Sequence, residues 1–177
     1  MQTRIIDEED IDPRLDQAIR DLLVLCFPHR REVFSAARRW RGNVPLYSVV
    51  VQDHDVLCAN VAVVDRTIRV ADRLLRVAGV ALVAVAPAFR GRRLIDGALV
   101  AAMKEAAARK FDCGFLFTHR PTNRIYARNG WIEIAVQTTR IEDSQEIQMP
   151  PENVRMFHPL TMKDFPPGDI HLLGDKW

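Results

Sequence analysis

Residues 78–101 constrain this chain more than any other stretch. Residues 79–86, GVALVAVA, form an unbroken apolar run; Pro87 interrupts it, Phe89-Arg90-Gly91-Arg92-Arg93 follows, and an apolar helical pattern opens at Leu94-Ile95. An apolar run of that length closed by a breaker reads as a buried strand, and a strand that passes through a short loop into a helix is the repeating unit of α/β folds. The helix start gathers N–H groups without intrahelical partners, the positive end of the helix dipole and several guanidinium groups at one point. Such a point suits a phosphate. The plainer reading is a solvated cluster of arginines at an ordinary turn.

With 177 residues, the chain is long enough to bury a core of its own without a covalent staple, and one domain over residues 1–177 is expected. It is 48% hydrophobic and 27% charged, which excludes a disordered or collagen-like chain. A net charge of +2 gives no reason to expect a nucleic-acid partner. Cys26, Cys58 and Cys113 are widely spaced among apolar neighbours, as reduced, buried cysteines are, and no metal-ligand spacing occurs. No apolar signal-peptide region follows Met1, and the longest uncharged run, residues 77–89, contains Pro87 and is shorter than the ~20 residues of a membrane helix. A cytoplasmic protein, monomeric or homodimeric, with no membrane partner is expected.

Local signals set the element order. Residues 3–6 suggest a strand, and Asp12-Pro13 a helix start, with Leu15, Ile19, Leu22 and Cys26 at helical spacing up to Pro28. A second helix is expected over residues 32–40. Residues 47–52, 57–70 and 74–86 read as three successive antiparallel strands joined at Asp53-His54-Asp55 and Ala71-Asp72-Arg73. A helix over residues 92–110 follows, with Leu94, Ala98, Ala101 and Ala102 on a narrow face, then a parallel strand at 111–117. A short helix at 121–128 closes on Asn129-Gly130, one strand is expected over 131–140, a polar loop over 142–152, and a last strand over 154–160. The tail, residues 161–177, carries Ile170, Leu172, Leu173 and Trp177, which would pack it back near the substrate cleft.

This order resembles the GNAT superfamily of N-acetyltransferases, and the local motifs agree. Arg90-x-x-Arg93-x-Ile95 stands where that family has Gln/Arg-x-x-Gly-x-Gly/Ala, and Asn123-x-x-Tyr126-x-x-x-Gly130-Trp131 resembles its Asn…Tyr…Gly-Phe stretch. The resemblance covers about residues 14–140 and implies an α/β (α+β) fold: a mixed, mostly antiparallel twisted sheet with helices on both faces and a splayed parallel strand pair. Val83-Ala84-Val85, Arg90-Gly91-Arg92-Arg93-Leu94 and Gly174-Asp175-x-Trp177 look like the aminoglycoside 2′-N-acetyltransferases. Residues 38–45 and Asp164-Phe165-Pro166-x-Gly168 look instead like the nodulation protein that N-acylates a chitooligosaccharide.

The resemblance implies acetyl-coenzyme A as acyl donor, with Val83, Ala84 and Val85 pairing to its pantetheine arm. The N–H groups of Arg90, Gly91, Arg92, Arg93, Leu94 and Ile95 would receive the pyrophosphate, and Asn123 would contribute to the cofactor site. A backbone N–H at Val85 would stabilise an oxyanion. Tyr126 matches the general acid that gives its proton to the departing thiolate; an ordinary half-buried tyrosine with a satisfied hydroxyl is the competing reading. No carboxylate or histidine stands in residues 79–85 to act as general base. Asp175, the Trp177 carboxylate, His119 and Glu133 are the candidates for receiving the ammonium proton through water.

The acceptor is expected to be a small-molecule primary amine, met by Phe27, Arg30, Arg31, Asp175 and Trp177. His29-Arg30-Arg31 with Arg38, Arg39 and Arg41 would repel a polycation and suit an acceptor bearing a carboxylate, a phosphate or an acyl-carrier partner. The alternatives are a longer-chain N-acyltransferase, for which Phe27, Phe34 and Trp40 offer apolar room, and a non-catalytic coenzyme A binding or interaction domain.

Overall fold

The computed structural model describes residues 1–39 and 42–177. The fold is α/β, with a mostly antiparallel sheet that includes parallel pairs and is flanked by helices. The chain divides into two compact units, each built from two stretches: Met1–Val64 with Ala81–Ala102, and Asp65–Val80 with Met103–Trp177. The strands β3 (Val56–Val70) and β4 (Arg73–Val85) and the helix α3 (Leu94–Ala108) pass from one unit to the other.

In the first unit, β1 (Gln2–Asp7) pairs antiparallel with β2 (Tyr47–Asp53), which pairs antiparallel with β3. The helix α1 spans Pro13–Cys26, as the sequence indicates. Asp12 caps it by accepting a hydrogen bond from the Leu15 N–H at 2.8 Å, and Pro13 occupies the first turn, where its missing N–H costs nothing. Leu15, Ile19, Leu22 and Leu23 lie on one helical stripe and are buried with Ile6, Phe34, Val50, Leu57 and Ala84. The second helix, α2 (Arg31–Ala36), is shorter than expected. Arg38 is drawn into buried ion pairs with Glu8 (2.8 Å) and Asp16 (2.6 Å), and the backbone has already turned extended at Ala37. The expected end of that helix at Trp40, and Arg41, lie outside the described residues.

In the second unit the strand order is β6-β9-β5-β4-β3-β10-β7-β8, where β5 is Cys113–Thr118, β6 Ile132–Ile134, β7 Thr138–Glu142, β8 Gln145–Gln148, β9 Val154–Pro159 and β10 Ile170–His171. β4 and β5 are parallel, as expected of strands joined by a crossover helix, with Val77, Ala78 and Gly79 registered against Cys113, Gly114 and Phe115. The register ends there, whereas β4 runs on to Val85. The helix α4 covers Arg120–Ala127 and closes at Gly130, whose φ of 81° only glycine adopts freely.

Three expectations for this unit are corrected. The strand expected over 131–140 is two, β6 and β7, and the supposed polar loop at 142–152 contains β8, which forms an antiparallel hairpin with β7. The strand at 154–160 is not the last: Ile170 and His171 enter the sheet between β3 and β7. The tail is therefore part of the sheet, with Ile170 and Leu172 fully buried.

Candidate active site

The first unit holds the strand end and loop singled out from the sequence. Within β4, Leu82 has a φ of 50°, a left-handed conformation rare for a branched side chain in a strand. Asn60 on β3 fixes it: its Nδ2 donates to the Leu82 carbonyl at 2.9 Å, and Asn60 is fully buried. Its Oδ1 has no hydrogen-bond partner among the described residues. Asn60 was not anticipated, although it is the one polar residue in the apolar run 56–64. Val83, Ala84 and Val85 follow this kink directly, so Asn60 determines how they are presented.

At the strand end, the Val85 carbonyl accepts from the Cys26 thiol (3.3 Å) and the Arg90 Nε (3.2 Å), and Arg90 Nη2 lies 3.9 Å from Cys26 Sγ. Arg90 thus ties down the turn, and its backbone N–H donates to the Pro87 carbonyl at 3.2 Å. The expectation that this N–H receives a phosphate is corrected: it is already used. Gly91 and Arg93 both have positive φ, 78° and 55°. This explains the family's glycine at the position Arg93 occupies, and shows that the loop keeps the left-handed geometry at the cost of strain. It also starts α3 at Leu94 rather than Arg92. Ile95 turns into the core with Ala98, Leu99 and Ala102, so the buried face of α3 is displaced from the one read in the sequence. Arg92 stacks on Phe89 at 5.2 Å, leaving Arg93 exposed beside the first helical N–H groups. Gly91, Arg92, Arg93, Leu94 and Ile95 are the residues that fit a pyrophosphate through backbone N–H groups and nearby charge.

Phe27, half-buried, packs against the same core as Leu82 and Ala86 and lies 5.8 Å from the Phe34 ring. Arg30 and Arg31 are exposed. Arg38 is not: its ion pairs remove it from the basic cluster proposed to face an acceptor. Burial alone would raise the Asp16 carboxyl, but Arg38 and Arg20 reverse this and hold it below its ordinary value.

The second unit places Tyr126 on α4, half-buried, with its ring edge-to-face against Trp131 at 6.2 Å. Among the described residues no protein group hydrogen-bonds its hydroxyl. Burial pushes the phenol up to about 12, so it is protonated at neutral pH. Asn123 donates to Glu133 at 3.2 Å, and Arg120 pairs with Glu133 at 2.9 Å. His119 is exposed at the N-terminal boundary of α4. Asp175 accepts from Arg140 at 2.9 Å, so this base candidate sits in an ion pair. The Trp177 ring is buried against Phe115 (5.9 Å) and Phe117 (5.4 Å), with the Arg66 guanidinium over it at 5.4 Å. The Trp177 ring is thus part of the core packing of the second unit, and it holds the tail there as the apolar residues of 161–177 suggest. Cys26, Cys58 and Cys113 are free thiols, and burial pushes Cys113 up to about 12.

With this geometry in place, the comparisons with known proteins are informative. The model of the acetyltransferase (GNAT) domain family matches residues 5–134. Among solved structures, ElaA of Escherichia coli aligns with a TM-score of 0.62 at 13% identity, covering 89% of this chain and 98% of that one. YhbS, a GNAT family N-acetyltransferase of Escherichia coli solved in complex with CoA, aligns at 0.65 and 16% identity, covering 97% and 89%. An acyl-CoA N-acyltransferase of Pseudomonas aeruginosa aligns at 0.60 and 15%, covering 89% and 98%. At these identities the structures establish the fold alone.

Proposed function

Because the chain belongs to the GNAT acetyltransferase family and is an acyltransferase, we propose that it moves an acetyl group from acetyl-coenzyme A directly to the primary amine of a small molecule in a ternary complex. Bound acetyl-coenzyme A supplies the activated acyl group as a thioester. Val83, Ala84 and Val85 offer backbone groups to its pantetheine arm, held in position by the kink at Leu82 and its Asn60 support. Gly91, Arg92, Arg93, Leu94 and Ile95 hold its pyrophosphate at the start of α3. The Val85 N–H is assigned to the developing negative charge on the acyl oxygen. Tyr126 gives its proton to the departing thiolate, and Asn123 supports the donor site. The ammonium proton leaves through water, with the exposed His119 as recipient.

The observation that carries this reading is Tyr126: a half-buried phenol, protonated at neutral pH, with its hydroxyl uncommitted to any described protein group. The acceptor is assigned to Phe27, Arg30, Arg31, Asp175 and Trp177. Such an acceptor differs from a polycationic aminoglycoside, and the chain stands apart from both that group and the nodulation N-acyltransferase. The apolar contacts of Phe27 with Phe34 favour a second reading, a longer acyl chain on the donor. The free thiols are those of a cytoplasmic protein.

The Tyr126→Phe variant tests the assignment. A general acid contributes about 10²–10⁴-fold, so kcat should fall at least ten-fold while acetyl-coenzyme A affinity and unfolding temperature stay unchanged. A loss of less than a few-fold in a folded variant would contradict the role.

A further inference from the structure

A groove of 610 Å³ opens in the second unit beside β6 and the β8–β9 connection, within the size range of small-molecule sites. Ile134, Val136, Pro150, Pro151 and Val154 supply apolar lining, and Arg155, registered directly across from Ile134, supplies a charge. Arg155 is more than nine-tenths buried on β9, the strand between β6 and β5. Its Nε donates to Thr138 Oγ1 at 3.1 Å and its Nη2 to the Met149 carbonyl at 3.2 Å, so two corners of the guanidinium are fixed by neutral groups. The third nitrogen, Nη1, has no partner among the described residues and is not among the sealed-off unpaired atoms, so it remains accessible.

Among the described residues no carboxylate lies within ion-pair distance of Arg155. Glu152 favours its charge only from farther away, and burial works the other way, drawing the guanidinium below its ordinary value. Glu133, on the same groove, is already neutralised by Arg120 at 2.9 Å and held by Asn123 at 3.2 Å. A cation taken out of water without a counter-ion is destabilising unless something completes it. A planar guanidinium anchored at two corners presents its remaining donors in fixed directions, which suits a carboxylate.

We propose that this groove is a binding site for a small monocarboxylate with an apolar body, its carboxylate on Arg155 and its body against Ile134, Val136 and the two prolines. The apolar wall selects such a ligand over a bare inorganic oxyanion, which would leave that wall in water. The proposal does not depend on the chain's being an acetyltransferase.

Calorimetric titration of the whole protein with hexanoate, hexanamide and inorganic phosphate, without coenzyme A, tests it. Hexanoate should saturate one site per chain, with hexanamide and phosphate each at least about ten-fold weaker, because the charged hydrogen bonds and the apolar contact are both required. Arg155→Lys should weaken hexanoate about ten-fold by losing the fork. Ala135 lines the groove and is exposed, so Ala135→Trp should fill it and abolish hexanoate binding with the unfolding temperature unchanged, whether or not the Arg155 variant folds. Absence of hexanoate binding, equal binding of hexanamide or phosphate, or full binding by folded Ala135→Trp would each overturn the proposal.

Discussion

Tyr126 shows how a residue's surroundings, more than its identity, set its chemistry. Its phenol is raised from an ordinary 10.0 to about 12 because the phenolate would lose its hydration. The sign follows: the folded protein keeps a proton that the unfolded chain gives up, so the contribution to stability is complete below pH 10 and is lost as pH rises through 12. A spectrophotometric titration, taken as the difference between wild type and Tyr126→Phe, should show ionisation near 12. A midpoint near 10 would mean that the ring is open to solvent. Tyr126 was legible in the sequence because Asn123, Gly130 and Trp131 stand at fixed local spacings around it. Asn60 was not, because its meaning lies in a bond to Leu82, 22 residues away, and Leu82 itself carries no local sign of positive φ. Arg38 illustrates the same difficulty: in sequence it joins a basic cluster, and in the fold Glu8 and Asp16 neutralise it.

At the scale of elements, the loop between β4 and α3 is proposed to bind the donor through its backbone, and Arg93 is a side chain placed where glycine would be unstrained. Replacing it should therefore help the fold without harming the site. Arg93→Gly relieves left-handed strain but frees the unfolded chain, for a net gain of about 0.5–1 kcal/mol in unfolding free energy. Acetyl-coenzyme A affinity should change by less than about three-fold, since the N–H groups remain; a ten-fold loss would assign binding to the guanidinium instead. The elements read correctly were those bounded by local chemistry. Asp12, Pro13 and Pro28 delimit α1, and the turns at His54 and Ala71, both with positive φ, separate β2, β3 and β4. The hairpin of β7 and β8 and the two-residue β10 escaped because each is a strand only by virtue of its neighbours. Ile170 and His171 are held by pairing with Val70 and Arg69 on one side and Thr138 and Thr139 on the other.

For the whole molecule, two units share three elements, and each unit carries groups with separable duties: the kinked strand and left-handed loop in the first, the protonated tyrosine and the Arg155 groove in the second. Family membership explains why motifs point to a donor side, whereas the tail strand β10 and the β7–β8 hairpin carry no motif that marks them. The central claim is acetyl transfer from acetyl-coenzyme A to an amine. It is tested most directly by adding acetyl-coenzyme A and a panel of small primary amines to the purified protein and following thiol release together with the mass of the amine product. The account predicts saturable acetyl-coenzyme A binding and thiol release that depends on at least one amine and yields its acetylated form. No binding of any coenzyme A species, in solution or carried through purification, would contradict it.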